Sequence, residues 1–167
     1  MVAKPEEAVV IFAMRPTNAL DQRYWLMDGS GRCLGALREA MRIVARFPPG
    51  EHAIATAVSG KSMGARIAVR GGLTYLVEVK NTYRSPDGFS EQPFVGRPAG
   101  RWTEGLVPRL LHQSRKQIFT ADEAKCADEL ATLNVSSGPA ARAMVGQLMK
   151  TKPAPILEPD HGGVWKE

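Results

Sequence analysis

The segment Ser59-Gly60-Lys61-Ser62 carries the residue types closest to a known chemical motif. A Gly-Lys-Ser tripeptide after a strand is half of the phosphate-binding P-loop, whose backbone N–H groups and lysine hold phosphate oxygens. The other half is missing, because Ala55 stands where the motif needs a glycine and residues 65–69 have the pattern of a strand instead of a helix. The sequence therefore predicts a glycine-rich hairpin tip here and no nucleotide site.

The other candidate ligands and nucleophiles are dispersed along the chain. His52, His112 and His161 are predicted at a turn, on a charged helix face and in a proline-rich tail, which is the spacing of neither a metal site nor a catalytic triad. The loop at Asp28 lacks the alternating oxygen ligands of an EF-hand, so we interpret it as a hairpin turn. No nucleophile elbow is present. We predict no catalytic residues, no metal ligands, no cofactor and no enzyme activity.

Two cysteines, Cys33 and Cys126, lie far apart in the chain and match no metal or redox motif. Small thiols are commonly buried in protein cores, and the sequence favours this interpretation for both. The alternative is a single disulfide between them, which would require an oxidising compartment.

The composition describes one domain with an appendage. The chain has 167 residues, and 44% of them are hydrophobic, which is enough for a single core. The formal net charge is +5, but the basic residues are spread and only 7% of the residues are aromatic, so a nucleic-acid partner is disfavoured. A cytosolic polyanion or nucleic-acid binder is the first alternative function. An enzyme whose site shows no sequence motif is the second.

The sequence contains no membrane-spanning segment and no export signal. It has no run of 18 apolar residues, and residues 1–7 lack the basic and apolar parts of a signal peptide. A membrane is therefore expected as a partner only through a missing N-terminal anchor. The expected location is the cell envelope or periplasm if an export signal has been removed, and the cytoplasm otherwise.

Residues 7–100 are predicted to form an antiparallel β-sandwich or barrel, because short β-type runs alternate with turn residues. The predicted strands are 8–14, 24–27, 33–37, 41–47, 52–58, 65–69 and 74–80. Tyr75, Val77 and Val79 share one face of the last strand, and we expect them in the core with Phe47 and Ile54. Residues 81–100 are predicted as a long loop or edge strand.

Beyond Trp102 the hydrophobic period changes from two to about 3.6, which predicts a helical appendage over residues 101–150. The fold class is therefore mainly β with two or three short C-terminal helices, an α+β arrangement. The three predicted apolar helix faces are Val107, Leu110, Leu111, Ser114 and Ile118; Cys126, Ala127, Leu130 and Leu133; and Ala141, Met144, Val145 and Leu148. Prolines predict an extended tail over residues 151–167.

The helical part is the expected contact surface for a partner, because short helices are marginal in water until their apolar faces are covered. The candidate partner-binding residues are Met144 and Leu148 on the third helix, Arg109 and Lys116 on the charged face of the first, and Trp165 in the tail. The expected partner is another protein or a second copy of this chain.

Four short motifs follow one another over residues 8–80. They are the apolar strand ending in Arg15-Pro16, the Asp28-Gly29 hairpin with Cys33-Leu34-Gly35, the segment Phe47-Pro48-Pro49-Gly50-Glu51-His52, and residues 72–77. This series resembles small bacterial envelope domains, often lipoproteins of unknown function, and the Pro-Gly-Glu-His part is similar to the PEGA-type surface β-sandwich. The resemblance implies an immunoglobulin-like sandwich in a cell-envelope setting. The leading hypothesis is a non-catalytic protein-binding or scaffolding domain.

Overall fold

The computed structural model describes residues 3–14, 23–58, 61–79, 94–95, 112, 117–120, 143, 146–147 and 150. The strands in this part of the chain are β1 (Ala8–Ala13), β2 (Tyr24–Asp28), β3 (Cys33–Leu37), β4 (Met41–Phe47), β5 (Gly50–Val58), β6 (Lys61–Val69), β7 (Thr74–Val79), β8 (Phe94–Val95) and β9 (Gln117–Thr120). They form sheet A, in the order β8-β7-β1-β4-β9, and sheet B, in the order β3-β2-β5-β6. One hydrophobic core joins residues of both sheets, so the described part is a β-sandwich.

The prediction of antiparallel sheets is confirmed for sheet B. In sheet A it is correct for the pairs β1–β4 and β7–β8 and wrong for the other two. In sheet A, β1 pairs in parallel with β7, and β4 pairs in parallel with β9. The physical reason lies at the turn that carries the chain from β6 in sheet B to β7 in sheet A. There Val9 N–H donates to Leu73 O at 3.0 Å, which places the start of β7 beside the start of β1.

The continuous apolar run of β1 is explained by burial on both of its faces. Val10 and Phe12 belong to the core between the sheets, whereas Val9 and Ile11 belong to a second cluster on the outer face of sheet A. Every residue of β1 is buried as a result.

The predicted core face of β7 is confirmed. Tyr75, Val77 and Val79 all lie in the core between the sheets, together with Phe47 and Ile54. The aromatic ring of Phe47 meets that of Phe12 edge to face, with centroids 6.5 Å apart. Strand alternation alone identified this face from the sequence.

Ile118 was predicted on a helix and lies on a strand, so that assignment is wrong. Gln117–Thr120 forms β9, which pairs with Met41–Val44 of β4. Isoleucine, phenylalanine and threonine fit a pleated sheet well, and β9 covers the edge that β4 would otherwise leave unpaired. Sheet A thus takes one of its strands from the segment predicted to be a helical appendage.

The C-terminal helices lie outside the described residues and stay a prediction. Apart from β9, five positions there are described. His112, Ala143, Gly146 and Gln147 have helical backbone, Lys150 lies in a turn, and all five are exposed to solvent. Within the described residues, no helix has the length and apolar character needed to cross a membrane.

Thr56 carries a buried hydroxyl group without a described partner. It is fully buried on β5, opposite Leu26 of the core, and no hydrogen bond to its Oγ1 is found. We expect Thr56→Val to stabilise the domain by about 1 kcal/mol, because valine keeps the shape and removes an unsatisfied polar group. Thermal unfolding checks this, with half-buried Thr74→Val as the control. A lower melting temperature for Thr56→Val would show that the hydroxyl is hydrogen-bonded.

Candidate protein-binding surface

The partner-binding residues predicted from the sequence, namely Arg109, Lys116, Met144, Leu148 and Trp165, lie outside the described residues. Their role stays a prediction. The described part of the chain has a different candidate surface. It also shows which structures the sequence motifs form.

The Gly-Lys-Ser segment forms no P-loop. Lys61–Gly64 belongs to β6, and Val58 pairs directly with Lys61, which leaves two residues for the connection. The hairpin is as predicted, but its tip is shorter than the predicted loop of residues 59–64. A P-loop needs a helix N-terminus after the lysine to hold phosphate, and here a nine-residue strand follows.

Asp28 holds the β2–β3 hairpin together. Its Oδ1 accepts hydrogen bonds from Ser30 N at 2.9 Å, Ser30 Oγ at 2.6 Å and Arg32 N at 3.0 Å, and its Oδ2 accepts one from Arg32 Nε at 2.8 Å. Both carboxylate oxygens of Asp28 are thus hydrogen-bonded within the turn and stabilise it. This confirms that the Asp28 loop is a hairpin turn. Over the described residues, no cluster of three His, Cys, Asp or Glu side chains suits a metal ion.

Cys33 is disulfide-bonded. The sequence favoured two buried thiols, so the structure bears out the alternative for this cysteine. Cys126 is the only other cysteine in the 167 residues.

Three turns meet at one end of the sandwich, and we call this surface the three-turn end. It consists of residues 3–7, 48–50 and 70–73. Gly72 N–H lies 2.9 Å from both Lys4 O and Glu7 O, which joins the first turn to the third. A Cβ atom added to Gly71 would lie 1.9 Å from Pro5 O and 3.2 Å from Pro49 Cγ, so all three turns are in close contact there.

The second turn is fixed by the histidine of the Pro-Gly-x-His motif. His52 Nε2–H donates to Pro48 O at 2.8 Å, and the His52 ring lies 5.0 Å from the Phe47 ring between centroids. His52 therefore closes the turn formed by residues 48–50. This contact gives a physical reason for the proline and histidine spacing of the motif.

The third turn is hydrogen-bonded to a core residue. Arg70 N–H donates to the hydroxyl oxygen of Tyr75 at 2.7 Å, and the Tyr75 ring is buried between the sheets. Two ion pairs, Arg46 with Glu7 and Arg66 with Glu51, flank the same end. Intramolecular hydrogen bonds and ion pairs therefore fix the backbone of this surface without a partner.

The exposed side chains of the three-turn end are both apolar and charged. Leu73 is 38% exposed and is the exposed large hydrophobic residue of the described part of the chain. Pro5, Pro48 and Pro49 are exposed as well, and so are the charged side chains of Lys4, Glu6 and Arg70 in the same turns. A rigid apolar patch with a polar rim is the usual anatomy of a protein-binding surface.

This surface was not predictable from the sequence, because the three segments are far apart in the chain. The pairing of β1 with β4 and β7, and of β5 with β6, brings them together.

Comparison with protein-family models, with curated proteins and with solved structures finds no match to any of them, so the function has to be inferred from the residues and their geometry alone.

Proposed function

We propose that the chain is a non-catalytic protein-binding or scaffolding domain of the bacterial cell envelope, built on an immunoglobulin-like sandwich. The observation that carries this proposal is the three-turn end, where Leu73 and the exposed prolines stand on a backbone fixed by internal hydrogen bonds. Binding to such a surface requires little ordering of the chain, which favours affinity. Loops on a rigid scaffold are also where binding residues are commonly found.

The disulfide at Cys33 supports the envelope setting. Structural disulfides form and persist outside the reducing cytosol, in places such as the bacterial periplasm. The resemblance to small envelope domains points to the same compartment. Their motif segment Pro48–His52 lies at the three-turn end, where His52 shapes the exposed prolines.

The partner is another protein, with an apolar side chain or backbone strand complementary to Leu73. The C-terminal residues Arg109, Lys116, Met144, Leu148 and Trp165 supply a second contact in this proposal, to the same partner or to another copy of the chain.

Replacement of Leu73 by aspartate tests the proposal. We expect Leu73→Asp to fold normally and to weaken partner binding at least about tenfold, because truncating a central apolar anchor typically costs more than about 1.4 kcal/mol of binding free energy. Leu73→Met, which keeps an apolar side chain of similar volume, should bind as the unmodified chain does. Binding is measured by titration against the partner captured by crosslinking.

Capture uses a photo-crosslinking amino acid at position 73, with the same group at exposed Arg23 as the comparison. Arg23 precedes β2 and lies at the other end of the sandwich, beside the β5–β6 connection. We expect one specific product from position 73 alone. Equal products from both positions, or binding of Leu73→Asp at full strength, would refute the role of this surface. A steep decrease of binding with salt in both variants would instead support the polyanion alternative.

A further inference from the structure

The outer face of sheet B, which points away from the core, is apolar and covered. Met27 pairs with Cys33 on one side and with Ala55 on the other, which places these three side chains in one row. The register shifts between Leu26, which pairs with Gly35, and Met27, so Leu34 is an extra unpaired residue and Cys33 lies on the same outer face as Met27. Trp25 and Ala53 lie on the same face, and these five side chains are at most 5% exposed.

Sheet A does not cover this face, because sheet A packs against the other side of sheet B. No neighbouring molecule is present, so the atoms that bury this face of sheet B belong to the chain itself. The disulfide at Cys33 shows which segment is nearby. Cys126 is the other cysteine of the chain, and a disulfide holds the two Cβ atoms about 3.5–4.5 Å apart.

The segment around Cys126 has the right chemistry for this face. The helical period of the sequence puts Cys126, Ala127, Leu130 and Leu133 on one apolar stripe. The disulfide and the apolar contacts would therefore lie on the same side of the segment. On the sheet, Ala53 and Ala55 are small enough to let a helix approach closely, while Trp25 and Met27 supply area for contact.

We propose that the outer face of sheet B is the intramolecular docking surface for the segment that carries Cys126, fixed there by a Cys33–Cys126 disulfide. Formation of the bond joins the two Sγ atoms and releases two electrons and two protons, which a disulfide-bearing oxidant accepts as it becomes two thiols. This face is then closed to partners, which leaves the three-turn end as the binding surface on the sandwich. The proposal itself does not depend on that assignment.

The bond is tested first by peptide mapping of the oxidised full chain without reductant. We expect a linked peptide containing Cys33 and Cys126 and no free thiol after denaturation. Two free thiols, or a disulfide between two chains, would overturn the proposal.

The effect of the bond on stability is tested with Cys126→Ala. We expect its melting temperature to be about 5–15 °C lower than that of the oxidised chain, as for loss of a typical disulfide in a domain of this size. The double variant Cys33→Ala/Cys126→Ala should melt close to the single variant, because both lack the same bond. Equal melting of the oxidised chain and Cys126→Ala would overturn the proposal.

The docking is tested through Trp25, in a chain carrying Trp102→Phe and Trp165→Phe so that Trp25 is the only tryptophan. Leu130→Asp should shift Trp25 emission to longer wavelength and increase its quenching by acrylamide, whereas Asp128→Ala, on the opposite side of the stripe, should change neither. Far-UV circular dichroism confirms that the sandwich persists, and Leu130→Ala replaces Leu130→Asp if it does not. Unchanged shielding of Trp25 in the folded Leu130 variant would show that another segment covers this face.

Discussion

Val77→Asp is expected to abolish the folded state of the domain. Val77 is 1% exposed and lies in the core between the two sheets, with Tyr75 and Val79 on the same face of β7. An unpaired carboxylate at this position would lose its hydration without gaining a counter-charge, at a cost of several kcal/mol. Since domains of this kind have a total stability of about 5–15 kcal/mol, the variant should be largely unfolded at 25 °C.

Circular dichroism and thermal unfolding measure this, and Leu73→Asp is the matched control. Leu73 lies just ahead of β7 and its side chain is exposed, so the same new charge should leave the fold intact there. A Val77→Asp variant with an unchanged melting temperature would mean that β7 turns its other face to the core.

Gly71→Ala is expected to have the second largest effect, although it adds a single methyl group. The new Cβ would lie 1.9 Å from the backbone oxygen of Pro5, and a backbone carbonyl cannot turn away as a flexible side chain can. One of the two turns must therefore move, and the hydrogen bonds from Gly72 N to Lys4 O and Glu7 O would be disturbed. We expect a loss of about 3 kcal/mol, the upper range for overpacking a tight site.

Alanine substitutions at two other glycines serve as controls. They distinguish a loss of stability caused by a steric clash from one caused by an unfavourable backbone conformation. At Gly29 an added Cβ meets its nearest neighbour, Ala53, at an ordinary 3.6 Å, so Gly29→Ala should change stability by less than about 1 kcal/mol. At Gly72 an added Cβ would meet Pro5 Cα at an ordinary 3.9 Å, but φ is +75°, so Gly72→Ala should lose about 1–2 kcal/mol through backbone strain alone. Urea unfolding of the three variants measures the order. A Gly71→Ala variant as stable as Gly29→Ala would refute the close contact with Pro5.

The strands of the sandwich were predictable where the sequence shows either alternating apolar and polar residues or a continuous apolar run, because both patterns follow from burial. Tyr75, Val77 and Val79 recur at every second residue because one face of β7 meets the core. Residues 8–13 lack this alternation because both faces of β1 are covered, and the sequence records this as well. In each case the burial pattern can be identified from residues that are close together in the sequence.

The remaining features depend on contacts between distant residues. Ile118 fits a helical period with Leu111 and Ser114, and only pairing with Arg42 of β4 decides for a strand. Tertiary pairing overrides local preference in this way for short segments. The candidate site was unpredictable for a related reason, since its turns contain ordinary turn residues. They acquire a common surface only after β1 pairs with β4 and β7 and β5 pairs with β6.

The central position of β1 in sheet A has a consequence for the order of events during synthesis. Ala8–Ala13 is synthesised before both of its neighbours in the sheet, β4 and β7, and β7 ends at Val79. Until Thr74–Val79 has been made, one edge of an entirely apolar strand is without its native partner and can pair with the same strand of another chain. Pairing across such a long stretch of chain is also slow to form. A nascent copy of this protein is therefore most prone to aggregate before β7 is complete, and a chaperone that binds extended apolar segments would act on residues 8–13 during that interval.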